Sequence, residues 1–307
     1  MVAEPLALMP IDLHTHSTAS DGTDTPAELV RLAAANGLDV VALTDHDTTA
    51  GWDEAIAARP PGLTLVPGVE FSCVWHGADG RRISLHLLAY LVDRQHAGIQ
   101  QEWARLRRGR VERAELMVSR FVEDGYPISW RQVVELTGTG TVGRPHIGRA
   151  LVAAGVVPDV DTAFRDLLSS RQRYYVRKAD TDVFDAIRLV RAAGGLPVFA
   201  HPIARRRGPV VPDEVVAAMA ETGLVGLEVE HPDHGPDDQA HAAGLARELG
   251  LIGTGSSDYH GTNKTTPIAA RTTDPAAWAA LLALPTAIRP LDDDHPEPSP
   301  PAATVAP

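Results

Sequence analysis

His14 and His16 stand two residues apart at the end of the run Ile11-Asp12-Leu13, and Asp21 follows in Ser20-Asp21-Gly22. On a β-strand, positions i and i+2 face the same side, so two imidazoles so placed can grip one cation. Asp21 lies near enough in sequence to reach the same pocket. Similar residues recur where later apolar runs end: His46 in Thr44-Asp45-His46-Asp47, Glu70 in Gly68-Val69-Glu70, His86, His201 in Ala200-His201-Pro202, and Asp258 and His260 in Ser257-Asp258-Tyr259-His260. Singly, each has an ordinary use: His86 as a hydrogen-bonded core histidine, His46 or Asp258 as a helix cap. Gathered on one rim without a cation, they leave buried charge unpaired, at a cost on the order of several kcal/mol per ion.

Nine ligands are too many for one ion. At roughly four to six donors per metal they imply two or three divalent ions with a bridging carboxylate. An imidazole-rich set suits Mn, Fe or Zn better than Mg or Ca. Such a centre lowers the pKa of bound water and clamps the attacking and leaving oxygens of a phosphoryl transfer. The expected catalytic groups are therefore a metal-bound hydroxide with His201 and His260, one of which protonates the leaving oxygen. No Ser or Cys nucleophile is required.

Cationic residues supply candidate phosphate contacts. Arg144 and His146 lie in Gly143-Arg144-Pro145-His146-Ile147-Gly148-Arg149, at the start of an expected helix, and helix N-termini with Arg favour phosphate. Arg205, with Arg206 and Arg207, follows His201 closely and is a second candidate. The run Arg105 to Arg113 is expected to be a solvated helix face. His76, His96, His231, His234, His241 and His295 are expected to be structural or solvated.

The elements that must position these residues alternate. Strands are expected over Pro10 to Leu13, Leu38 to Leu43, Leu63 to Val66, Arg82 to Val92, Leu196 to Ala200, Val225 to Val229 and Leu251 to Thr254. Helices are expected after Thr25, where Pro26 and Glu28 complete a capping box, and over Ala50 to Ala58, Asp182 to Ala193, Asp213 to Thr222, Gln239 to Leu249 and Pro275 to Leu284. Repeated βα units predict a parallel α/β sheet of about seven strands, closed as a barrel or doubly wound, with polar residues on the C-terminal rim. Residues 1–93 and 179–290 form this barrel, 94–178 a helical insertion, and 291–307 a disordered acidic, Pro-rich tail.

The chain carries a formal charge of −12, which argues against bulk binding to long nucleic acid while leaving room for a small anionic substrate. Cys73 is the single cysteine, so neither a disulfide nor a thiolate zinc site is expected. No apolar run approaches a membrane span and Met1 to Pro10 lacks the pattern of a signal peptide, so a cytoplasmic location is the default expectation.

Asp12-Leu13-His14-Thr15-His16-Ser17, Ser20-Asp21-Gly22, Thr44-Asp45-His46-Asp47, Gly68-Val69-Glu70, His86, Ala200-His201-Pro202 and Ser257-Asp258-Tyr259-His260 resemble the motifs of the PHP (polymerase and histidinol phosphatase) family. All nine family ligands are present. The resemblance implies a distorted (β/α)7, TIM-like barrel with a trinuclear metal centre. It implies His14, His16, Glu70 and Asp258 around one metal, bridging Glu70 with His86 and His201 around a second, and Asp21, His46 and His260 around the third. The insertion with Arg144-Pro145-His146 resembles one branch of the family. Members of that branch remove the 3′-phosphate of nucleoside 3′,5′-bisphosphates or trim short 5′-phosphorylated RNA in the 5′→3′ direction, and a related member acts on AMP. Gly148 stands where that branch commonly has Ala. The expected substrate is thus a small phosphorylated nucleotide or short RNA oligomer, and a polymerase role, which in this family goes with further domains, is not expected.

Two other classes compete. An amidohydrolase also uses His-x-His on a barrel, but many bridge two metals with a modified Lys, and Lys178 and Lys264 end no expected strand. A non-catalytic PHP binding module should have lost ligands. Asp21→Asn separates the last case: in an enzyme, phosphate release collapses while circular dichroism shows an intact fold, whereas undiminished activity sinks the metal-centre reading.

Overall fold

The computed structural model describes residues 9–138, 140–178 and 180–298. Strands β1 (Ile11–Thr15), β2 (Val40–Leu43), β3 (Thr64–His76), β4 (Arg82–Tyr90), β5 (Thr181–Asp182), β6 (Leu196–Phe199), β7 (Gly226–Glu230) and β8 (Ile252–Gly255) form one sheet. Its order is β1-β2-β3-β4-β6-β7-β8, with β5 joined to β3. The two ends approach each other: Thr15 bridges to Tyr259, and the His16 amide donates to the Tyr259 carbonyl at 2.8 Å. The result is a nearly closed, barrel-like sheet within a mixed α/β fold.

Among the described residues ten α-helices accompany it: α1 (Pro26–Ala35), α2 (Trp52–Ala58), α3 (Ala97–Glu123), α4 (Trp130–Thr137), α5 (Arg144–Ala153), α6 (Val160–Ala163), α7 (Val183–Ala192), α8 (Asp213–Thr222), α9 (Pro236–Leu249) and α10 (Pro275–Leu282). Helix α1 starts as its sequence dictates. The Thr25 hydroxyl accepts from the Glu28 amide at 3.2 Å and the Glu28 carboxylate from the Thr25 amide at 2.8 Å, with Pro26 in the first turn.

Both faces of the sheet are apolar, as in other sheets covered on both sides. Val40, Ala42, Val66, Leu88, Tyr90 and Val198 pack into one cluster; their neighbours Val41, Leu43, Leu65, Leu87, Ala89 and Phe199 pack into another with helical residues. Glu70 is on the same strand face as Val66, four residues along. A donor group is thereby set directly beyond a dry layer.

The sheet is not wholly parallel. β4 runs antiparallel to both β3 and β6. Alternation suggested a strand ending at Val66, because Pro67-Gly68 reads as punctuation. Instead β3 continues for thirteen residues and turns straight into β4, leaving no crossover helix to restore a parallel direction. Gly68 is required there: a Cβ would lie 2.9 Å from Thr44 Cγ2 and 3.1 Å from Tyr90 Cδ1. The register sets Ser72 opposite His86 and Glu70 opposite Leu88, so Glu70 and His86 share a face.

A third apolar cluster, with Met117, Phe121, Val133, Ile147, Leu151 and Leu168, belongs to the helices of the insertion. Ile99, Trp103 and Leu106, on the first half of α3, pack instead with the barrel. Helix α3 therefore enters two cores. Its expected solvated basic face is corrected too, since Arg110 and Arg113 are buried. The stretch from 291 also departs from its expected disorder. Leu291 is fully buried and exchanges two 2.8 Å backbone hydrogen bonds with Leu65, and Asp293 pairs with Arg59 at 2.9 Å. An acidic, Pro-rich composition hid one apolar anchor; residues 299–307 lie outside the described residues. Among the described residues no helix is long and apolar enough to cross a membrane.

Leu291→Ala should cost about 2–5 kcal/mol of stability, the range for a buried leucine, read as a lowered urea midpoint. An unchanged midpoint would show that this segment does not anchor the barrel.

Candidate metal centre

The nine candidate ligands reach one rim from six strands or the turns that follow them. His14 lies at a register shift between Asp12 and Thr15 in β1, which re-aims the chain, and His16 follows the strand. His46 follows β2 and bridges to Glu70 of β3, where the Glu70 amide donates to Thr44 at 3.0 Å. His86 is on β4, His201 follows β6, and Asp258 and His260 follow β8.

Glu70 is the hub. Its Oε2 lies 3.3 Å from His14 Nε2, 3.1 Å from His16 Nε2 and 3.2 Å from His46 Nδ1. Its Oε1 lies 2.6 Å from His86 Nδ1 and 3.0 Å from His201 Nε2. The Nε2 atoms of His14 and His16 are 3.0 Å apart, and Asp258 Oδ1 is 3.5 Å from each. Donors about 2.1 Å from a tetrahedral ion are about 3.4 Å apart, so this quartet has the spacing of a coordination shell.

Among the described residues three donor groups converge closely enough to hold ions: His14, His16 and Glu70; His46, Glu70 and His86; and His16, Asp21, His46 and His260. Compared with the expected grouping, His46 joins the Glu70-His86 group and His16 joins the Asp21 group. The residues fit a cation on an independent ground. Nδ1 of His46 and of His86 are buried without a hydrogen-bond partner although a carboxylate oxygen lies beside each. Buried polar atoms are ordinarily satisfied, and a cation between such groups satisfies both.

Burial and mutual charge set the ionisation. Burial alone would lower His14; the Glu70, Glu228 and Asp258 carboxylates outweigh it and hold the imidazole well above its ordinary value. Burial, reinforced by His260, lowers His16, and burial lowers His46 well below normal despite Glu70 and Asp21. His201 is pushed down to about 3 by burial and Arg207. Burial opposes ionisation of Asp21, Glu70 and Asp258, yet surrounding cationic groups keep all three well below the usual carboxylate range.

Sequence reasoning missed the shell that holds these ligands. Glu228 is completely buried on β7; its Oε1 accepts from His14 Nδ1 at 3.0 Å and its Oε2 from the His201 amide at 2.6 Å, and Ser256 also donates to it. A carboxylate behind a ligating histidine fixes the tautomer and raises its basicity. The available signal was a glutamate inside the apolar strand Gly226-Leu227-Glu228-Val229. Asp12 accepts from the amides of Ser257 at 3.0 Å and Ala269 at 3.0 Å, tying β1 to the Asp258 loop. Asp45 accepts from Ser17 and Ser20 hydroxyls at 2.6 Å each, shaping the turn that carries Asp21. Asp47, His201 and Asp258 hold φ of 55°, 34° and 51°, a conformation costly for non-glycine residues that such packing sustains at functional sites.

The basic residues divide differently from expectation. Arg205 is exposed and faces Asp238 at 3.3 Å, away from the donors. Arg207 is the member of its triplet that reaches the rim: it donates to Asp258 Oδ2 at 2.5 Å, beside Lys264 at 2.6 Å. Asp258 is thus held by one oxygen and presents the other to the histidines. His231 is not solvated. It is fully buried, its Nδ1 accepts from the Asp233 amide at 3.0 Å, and its Nε2 lies 3.4 Å from Asp258 Oδ2. His234 is structural as expected, bonded to Val229 and to the Ile203 amide. His146 caps its own helix through the Gly143 amide at 3.0 Å, and Arg144 donates to the Leu168 carbonyl at 3.0 Å while lying over the Phe164 and Tyr175 rings. The segment before α5 docks on the Asp21 turn, with Thr141 donating to the Ala19 carbonyl at 2.9 Å.

The PHP domain profile matches residues 12–127. The chain is 34% identical over 81% of its length to a 5′-3′ exoribonuclease of Haemophilus influenzae, covering 89% of that protein. It is 33% identical, over 81% of its length and 87% of the relative, to a 3′,5′-nucleoside bisphosphate phosphatase of Chromobacterium violaceum. A solved structure from Bifidobacterium adolescentis, described as a metal-dependent phosphoesterase, superposes with a TM-score of 0.84 at 37% identity over 91% of this chain and 97% of that one.

Glu228→Gln should weaken binding of Mn²⁺ by about 10–100-fold, the range for loss of a carboxylate behind a ligand, measured by calorimetric titration of folded protein. Affinity within twofold of the parent would remove Glu228 from the metal-supporting shell.

Proposed function

The chain belongs to the PHP domain family and is a metal-dependent phosphoesterase, and from that premise we propose that it releases the 3′-phosphate of nucleoside 3′,5′-bisphosphates. One observation carries the reading: a rim of buried imidazoles and carboxylates with partnerless nitrogens, adjoined by a cationic helical insertion. The first demands cations that bind a phosphate. The second favours an anion again, so a substrate with two phosphates matches both.

Bound divalent ions supply Lewis acidity and an activated water for in-line displacement at phosphorus. His14, His16, His46, His86, His201, His260, Asp21, Glu70 and Asp258 hold those ions. Glu228 keeps the Nε2 lone pair of His14 turned to the donors. His260 donates from Nδ1 to the Asp258 carbonyl at 2.9 Å, which leaves its Nε2 lone pair facing Asp21. His201, pushed down to about 3 by burial and Arg207, is a neutral imidazole at neutral pH and so has no imidazolium proton to give. We therefore place both as ligands rather than as the proton donors expected from sequence. Arg207 keeps Asp258 ionised and oriented, and Arg144 with His146 forms the wall nearest Asp21.

A second reading is 5′→3′ trimming of short 5′-phosphorylated RNA. A cavity of about 370 Å³ beside the Asp21 turn, lined by Ala19, Thr48, Thr49, Arg107, Thr141 and Val142, favours it, because it has room for more than a phosphate. The amidohydrolase alternative is disfavoured by both lysines: Lys178 pairs with Asp180 and Lys264 with Asp258.

Protein loaded with Mn²⁺ should release one phosphate from adenosine 3′,5′-bisphosphate and leave adenosine 5′-monophosphate, identified by ³¹P NMR. No turnover across nucleoside mono- and bisphosphates would overturn the proposal; turnover only of 5′-phosphorylated oligoribonucleotides would transfer it to the second reading.

A further inference from the structure

The three carboxylates of the rim use their oxygens differently. Glu70 turns both to imidazoles, and Asp21 does the same, with Oδ1 3.4 Å from His260 Nε2 and Oδ2 3.7 Å from His46 Nε2. Asp258 turns only Oδ1 to the ligating histidines. Its Oδ2 faces three donors that the ligand set does not include: Arg207 at 2.5 Å, Lys264 at 2.6 Å and His231 Nε2 at 3.4 Å. Each of the three is itself held. Arg207 also donates to Asp233 Oδ2 at 2.6 Å, and Lys264 Nζ lies 3.5 Å from the Asp258 carbonyl. His231 Nδ1 accepts from the Asp233 amide at 3.0 Å, so the neutral ring carries its proton on Nε2, a buried nitrogen otherwise unpartnered and aimed at Oδ2.

An oxygen engaged by two cations and an imidazole N–H has no lone pair left for a metal. Only Oδ1 is open, 3.5 Å from Nε2 of His14 and of His16. Glu70 likewise offers that group one oxygen, Oε2, because Oε1 is taken up by His86 and His201. His14, His16, Glu70 and Asp258 thus present four single-atom donors and no chelating carboxylate. The Asp258 backbone is fixed as well: its φ is 51° and its carbonyl accepts from His260 Nδ1 at 2.9 Å. Ca²⁺ takes about six to eight oxygen ligands and commonly gains two at once from a bidentate carboxylate, whereas Mn²⁺, Fe²⁺ and Zn²⁺ accept imidazole and need no such bite.

We propose that Arg207, Lys264 and His231 are positioning residues that hold Asp258 to one-oxygen coordination, and that this clamp selects against Ca²⁺ at the group formed by His14, His16, Glu70 and Asp258. The proposal rests on the metal-centre reading above and goes beyond it: the ligands call for a cation, and the clamp discriminates among cations. The imidazoles favour Mn²⁺, Fe²⁺ or Zn²⁺, and the clamp withholds the bidentate bite with which Ca²⁺ would compensate. Arg207 and Lys264 also offset the carboxylate charge. That effect weakens all divalent ions alike, so the clamp is read from a ratio of affinities rather than from one of them.

The test compares the metal-free parent with Lys264→Met and Arg207→Met. Each is titrated with Mn²⁺, with free Mn²⁺ read by electron paramagnetic resonance, and then with Ca²⁺ as competitor. For the equivalent that Ca²⁺ displaces most readily, the ratio of the Ca²⁺ to the Mn²⁺ dissociation constant should fall about tenfold or more in both variants, the scale for loss of a partner behind a ligand. Lys264→Arg, which keeps a donor for Oδ2, should retain most of the parent's ratio. Thermal melting checks that the variants fold; if Arg207→Met does not, Lys264→Met carries the comparison, since Lys264 is about one-third exposed. Ratios within about twofold of the parent in folded variants overturn the clamp, even where both affinities rise together. A parent that binds neither ion overturns the clamp and the metal centre together. A ratio that moves as expected in a protein that releases phosphate from no nucleotide overturns the functional reading and keeps the clamp.

Discussion

One buried carboxylate constrains the whole molecule. Glu70 faces five imidazoles, those of His14, His16, His46, His86 and His201, all within 3.3 Å of one of its two oxygens. Those rings arrive from four different strands or strand ends. Their convergence requires the sheet to curve until its first and last strands nearly meet, and requires β3 to run on past Gly68 so that Glu70 projects from regular backbone. A shift of one residue in the β3-β4 register would turn Glu70 or His86 to the opposite face.

The donors alone would not keep this arrangement. Glu228 stands behind His14 and under the His201 amide, Asp12 ties β1 to the Asp258 loop, and Asp45 knits the turn bearing Asp21. Positive φ at Asp47, His201 and Asp258 fits the same picture, since local strain persists where surrounding bonds over-determine it. The charge that makes the rim suited to cations is therefore embedded in a rigid polar shell with an apolar layer of Val40, Val66, Leu88 and Val198 on the sheet face below.

Most of the candidate donors were legible because they follow an apolar run, where a histidine or acid stands out against its neighbours; His86 lies inside β4. Helix α1 was legible because Thr25, Pro26 and Glu28 specify a start using only local chemistry. What escaped was non-local. Pro67-Gly68 has the local grammar of a break, and only the approach of Thr44 and Tyr90 explains why the strand passes through it. Glu228 and His231 were overlooked because their burial depends on partners far away in sequence. Arg110 and Arg113 looked like members of a solvated basic face, as their helix is basic all along; tertiary packing, absent from periodicity, sets which of them are buried. Leu291 was lost in a composition that otherwise reads as solvated.

The long helix α3 has a mechanical consequence. At about 1.5 Å per residue its 27 residues make a strut of about 40 Å. Ile99, Trp103 and Leu106 set one end in the barrel, Met117 and Phe121 set the other in the insertion, and Arg107 and Arg110 bolt its middle to Asp47. A rod clamped at both ends and the centre does not hinge. The insertion is thus held beside the rim as a fixed wall, because the helix that carries it is packed into the barrel along its first half.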